Sequence, residues 1–135
     1  MSAATPSRAA GESGIEIPSF QVRVDKWIRH CFGEAIRGDK AERNHRFIEE
    51  ALELVQAAGC TASEAHQLVD YVFGRSIGDV KQEVGGVMNT LAALCNIYDI
   101  DLDAAAETEL RRVWTKSDQI RAKQAAKPKH SALPA

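Results

Sequence analysis

Apolar residues recur at spacings of three and four along most of this 135-residue chain, and no segment alternates with the period of two that a half-buried strand requires. Phe20, Val24, Trp27, Ile28, Cys31 and Phe32 set the pattern first. The same period continues in four later runs, the first three of them followed by glycine or aspartate. Helices are expected over 19–36, 41–58, 62–73, 77–97 and 102–123. Gly38, Gly59 and Gly74 stand at the stops, and Thr61 or Ser63 can cap the third helix, with Glu64 in its first turn. Connections this short favour antiparallel neighbours. The expected fold is all-α: a compact bundle of four to five helices, completed by oligomerisation. The helical domain should occupy 18–124, between flexible tails over 1–17 and 125–135.

Composition narrows the function. An apolar fraction of 44% and a charged fraction of 27% suit a globular domain with a core. A formal charge of −2 gives no basic footprint, so nucleic acid is not the expected partner. No run approaches the ~18 apolar residues of a membrane span, and the first fourteen residues lack the apolar stretch of a secretory signal. Cys31, Cys60 and Cys95 have no metal-finger or redox spacing and read as free thiols. A cytoplasmic protein is expected, with no membrane partner.

Two acidic clusters interrupt the apolar runs. The first is Glu49-Glu50-Ala51-Leu52-Glu53; the second centres on Glu83, ahead of Gly85-Gly86. On a helical wheel Glu50 lies at the edge of the arc formed by Phe47, Ile48, Ala51, Leu52, Leu54 and Val55, with Glu53 just beyond it. Glu83 lies at the edge of a second arc that includes Val80, Val84, Val87 and Leu91. Packing those arcs together would bring three carboxylates to one seam, where a divalent cation would offset their repulsion. The same spacing also suits a solvated face, in which Arg46 pairs with Glu50 four residues on. The adjacent glycines suit close helix packing or room for a ligand.

Residues 46–54, 83–91 and the closing helix after Ile100-Asp101-Leu102 together resemble the MazG-like all-α nucleoside triphosphate pyrophosphatases. The likeness is greatest to short phage and bacterial forms, including the MazZ-type dGTP diphosphohydrolases. That family carries ExxE on one helix and ExxD on a later one. Glu50 and Glu53 match the first motif and Glu83 the glutamate of the second. Gly86 stands where the aspartate belongs, and 29 residues separate Glu53 from Glu83, near the long end for the family. Asp79, one turn before Glu83, is the first candidate replacement; Asn89, Glu49 or a water are others.

The resemblance implies an enzyme: a Mg2+- or Mn2+-dependent hydrolase of a (deoxy)nucleoside triphosphate, yielding the monophosphate and pyrophosphate. Purine substrates, dGTP or dATP, are one expectation. Metal ligands would be Glu50, Glu53, Glu83 and Asp79, with Glu49 or Glu50 as the catalytic base. Asn44, His45, Trp27, Asn89, Arg112 and Lys116 would contact substrate, with Phe32, Trp114, His66 and Arg121 as further candidates. Family members form homodimers or homotetramers. The alternative is a non-catalytic helical module for nucleotide or protein binding that has lost a ligand at Gly86.

Overall fold

The computed structural model describes residues 16–126 and residue 132; the expected tails lie largely outside them. Six helices follow in order: α1 Phe20–Arg37, α2 Lys40–Ala57, α3 Ala62–Phe73, α4 Val80–Ile97, α5 Leu102–Thr115 and α6 Ser117–Ala125. No strand occurs among the described residues, so the all-α expectation holds.

Side-chain oxygens begin five of these helices. Ser19 accepts from the Val22 amide at 3.2 Å, and Asp39 from that of Glu42 at 3.1 Å. Thr61 and Glu64 form a reciprocal capping box, so Thr61 caps α3 and Ser63 does not. Asp79 accepts from the Gln82 amide at 3.0 Å, and Asp101 from that of Ala104 at 2.8 Å. The Asp79 cap is why α4 starts at Val80 and not at residue 77. Gly59, with φ of 93°, turns the chain after α2 in a conformation that side chains with a β-carbon rarely adopt.

The single closing helix expected over 102–123 is two helices. Thr115 Oγ1 donates to the Arg112 carbonyl at 2.7 Å, and Ser117 Oγ donates to the carbonyls of Val113 and Trp114 at 3.4 and 3.3 Å. Such back-bonding competes with the helical ladder. The chain breaks at Lys116, whose φ is −116°.

A second break lies inside α1. Gly33 has φ of 79° and ψ of 175°, outside helical geometry. The carbonyls just before such a break lose amide partners in the next turn. Arg121 of α6 reaches them: Nε donates to the Cys31 carbonyl at 2.7 Å and Nη2 to that of His30 at 3.2 Å.

The core follows from these contacts. Trp27, Cys31 and Leu110 are its buried apolar residues, flanked by Val24, Ile28, Phe32, Val113 and Ile120. It joins α1, α5 and α6, the helices that pack most closely. The middle of the chain is held by lighter ties. Gln124 of α6 donates to Glu42 of α2 at 3.0 Å, and the Tyr98 hydroxyl donates to the Ala58 carbonyl at 3.0 Å. Every residue over 66–90 is exposed, so the compact bundle expected from the sequence is not closed within one chain. Among the described residues no helix is long and apolar enough to cross a membrane.

Candidate functional site

Glu50 of α2 lies within electrostatic reach of Glu109 and Arg112 of α5. Three residues separate Glu50 from Glu53, which puts both on one side of the helix. The Glu50 carboxyl is pushed above its ordinary range, first by partial desolvation and then by the charges of Glu53, Glu109 and Glu49. Lys123 of α6 acts in the opposite direction. Glu109 is held ionised by Arg112, which donates to it from Nε at 2.9 Å and from Nη2 at 2.6 Å. An electronegative patch therefore spans α2 and α5, with its guanidinium already committed to Glu109.

Glu49 and Arg46 form a separate pair. Arg46 Nη1 donates to Glu49 at 2.5 Å, and its Nε lies 3.1 Å from Glu42. The expected Arg46–Glu50 pair is thus replaced by pairs with Glu49 and Glu42. Among the described residues Glu50 is left with no ion pair of its own on α2, and the charges of Lys123 and Arg112 act on it from α6 and α5.

The second acidic cluster lies at the start of α4. Glu83 folds back over Gly78, and a β-carbon at 78 would meet its carboxylate. Asp79 is the helix cap, with one carboxylate oxygen given to the Gln82 amide. Gly86 leaves open space beside α4, and its carbonyl accepts from Thr90 Oγ1 at 3.0 Å. Asn89 is exposed on the same helix. Among the described residues no group of three or more His, Cys, Asp or Glu side chains converges as a metal site.

The expected substrate contacts scatter. Trp27 is only 8% exposed and meets Phe32 edge-on at 5.7 Å, so neither face is free to stack on a base. Arg112 is engaged by Glu109, and Arg121 by the α1 carbonyls. Asn44 is exposed and His45 half-buried on α2, while His66 is exposed on α3. Lys116 lines a groove of about 340 Å3 with His30 and Trp114, away from the α2 carboxylates. Trp114 is 39% exposed and lies against His30, with ring centroids 4.9 Å apart.

Glu109 and Lys123 are the participants that sequence reasoning missed. Their only signal is the packing of α5 and α6 onto the first half of the chain, which no local spacing encodes. No protein-family model, curated protein or solved structure matches the chain.

Proposed function

We propose that the chain hydrolyses a nucleoside triphosphate, most suitably a purine deoxynucleotide such as dGTP or dATP, to the monophosphate and pyrophosphate with Mg2+ or Mn2+. The observation that carries this reading is the placement of Glu50 and Glu53 on one side of α2, where partial desolvation and the charges of Glu53 and Glu109 push the Glu50 carboxyl above its ordinary range. An all-oxygen donor set suits a hard divalent cation, and magnesium is often held by one or two carboxylates with several waters. Glu50 and Glu53 would supply those carboxylates. Glu83, Asp79, Asn89 or a water would complete the set once the α4 end meets α2.

Such an ion neutralises triphosphate charge and makes a bound water more acidic. Glu50 or Glu49 takes the proton of the attacking water. The new bond forms from water oxygen to the α-phosphorus, and the bond to the pyrophosphate oxygen breaks. Arg46 holds Glu49 in place for that role. Lys123 offers positive charge to the leaving pyrophosphate, whereas Lys116 and Trp114 line a separate groove away from the α2 carboxylates. The three unpaired cysteines suit a reducing cytoplasm. Further copies of the chain, as homodimer or homotetramer, belong to the same reading.

A second reading draws on Gly86 and Asp79: the ExxD aspartate is replaced, and its nearest substitute already caps a helix. A non-catalytic nucleotide-binding or protein-interaction module suits those two facts. Pyrophosphate release from each dNTP, with either metal, decides the matter. Activity lost in Glu50→Gln and Glu53→Gln supports the enzyme. Metal-dependent nucleotide binding by calorimetry without turnover supports the module, and turnover unchanged in both variants sinks the catalytic assignment.

A further inference from the structure

Arg43, near the start of α2, carries a positive charge that the fold leaves without a close partner. Its Nε and Nη2 are closed to solvent, and among the described residues neither has a hydrogen-bond partner. The nearest carboxylate oxygen, Glu42 Oε1, is 3.9 Å from Nη2. That same oxygen is 3.1 Å from Arg46 Nε and accepts from Gln124 at 3.0 Å. The guanidinium carbon lies 5.8 Å from the centre of the Phe32 ring, a cation–π contact that supplies no carboxylate. Burial pushes the Arg43 guanidinium below its ordinary range, against the favourable charges of Glu42 and Asp39. A cation taken out of water without full pairing destabilises the fold until an anion meets it.

Arg43 also lines a groove of about 510 Å3 between α1 and the start of α2. Small-molecule sites run from about 300 to 1,000 Å3. Val22, Val24 and Ile28 give the groove an apolar wall. The other charged residues lining it are already paired. One Asp25 oxygen accepts from Arg37 Nε at 2.7 Å, and the other is 3.1 Å from Arg29 Nε. Arg43 is therefore the unmatched charge of the groove, and it stands beside an apolar surface.

We propose that this groove binds an aliphatic monocarboxylate, its head group on the Arg43 guanidinium and its chain along Val22, Val24 and Ile28. A single carboxylate matches the single free cation and accepts hydrogen bonds from a guanidinium in its own plane. A polyanion would find no second free cation among the lining residues and would meet the charge of Asp25. An amino acid would bring an ammonium to a groove whose carboxylate, Asp25, already serves two arginines. The inference uses no metal and neither Glu50 nor Glu53, so it stands apart from the catalytic reading.

Calorimetry on the full chain without divalent ions tests it, with hexanoate, acetate, hexanol and norleucine as probes. Hexanoate should bind about ten-fold or more tighter than acetate, since each buried methylene favours binding by roughly four-fold. It should likewise exceed hexanol and norleucine. In wild type it should shift the methyl resonances of Val22 and Ile28. Arg43→Gln should abolish the preference for hexanoate over hexanol, and Arg43→Lys should keep part of it. Val22→Ser, at a position 58% exposed, should narrow the preference over acetate. Glu50→Gln should leave hexanoate binding unchanged. Acetate, hexanol or norleucine bound as tightly as hexanoate overturns the proposal, as do methyl shifts confined to other residues or affinity retained in Arg43→Gln. The wild-type probe series and methyl shifts decide the matter even where a variant does not fold. Hexanoate binding without pyrophosphatase activity upholds this inference and overturns only the catalytic reading.

Discussion

Arg23 of α1 grips Glu107 of α5 with both terminal nitrogens of its guanidinium; the Nη1 bond is 2.7 Å, and Nη2 pairs with the other carboxylate oxygen. The pair ties the start of the chain to its closing section across 84 positions. It holds the Glu107 carboxyl below its ordinary range, chiefly through the hydrogen bonds from Arg23. A depressed carboxylate contributes stability above its unfolded pKa and loses it as pH falls through the folded value. Glu107→Gln should therefore unfold at a lower temperature than wild type at pH 7, and the gap should close in acid. The pair is solvent-accessible, so the loss should be smaller than the about 2–5 kcal/mol expected for Leu110→Ala in the core. Thermal melts from pH 7 to pH 3 check both statements.

Glu50 has the opposite sign. Its folded pKa is raised, so the folded state is favoured while Glu50 is protonated, and that advantage is lost as pH rises through the folded value. Without divalent ions, Glu50→Gln should melt above wild type at pH 7 and level with it at pH 3. Magnesium should stabilise wild type more than the variant. Turnover should fall by about 100-fold or more, the range for losing a general base.

Asp79 is a cap in the structure and a ligand in the proposal, and two substitutions separate the roles. Asp79→Ala removes the acceptor for the Gln82 amide and should cost about 1 kcal/mol. Asp79→Asn keeps an acceptor and should retain stability while weakening magnesium binding. Denaturation midpoints and metal titrations on both variants give the answer; unchanged magnesium affinity in Asp79→Asn removes Asp79 from the ligand set.

The three thiols should react in a fixed order. Cys31 is 2% exposed, and burial pushes its thiol upward. Cys60 and Cys95 are half-buried. A thiol-specific reagent at pH 8 should label Cys60 and Cys95 first and reach Cys31 only on unfolding, as mass spectrometry would record.

Local chemistry made much of the fold legible. Thr61 with Glu64, and Gly59 and Gly74 at the stops, declare their ends in short range, and α3 Ala62–Phe73 spans the residues expected for it. Features that depend on competition or distance were not legible. Thr115 and Ser117 break a run whose apolar period continues across them, and Gly33 interrupts α1 although Phe32 and Ile36 keep the pattern going. At the candidate site, the ExxE spacing put Glu50 and Glu53 on one side. Helical periodicity alone did not say that α5 would bring Glu109 opposite, or that Trp27 would turn inward while Trp114 stayed accessible.

The bend at Gly33 has a consequence for how the chain is made. The carbonyls it frees are answered by Arg121, some ninety residues later. During synthesis the N-terminal half of α1 leaves the ribosome without its closing cation, which follows ninety residues later. Its last turn is secured only when α6 arrives, so α1 is finished after helices that are begun later than it.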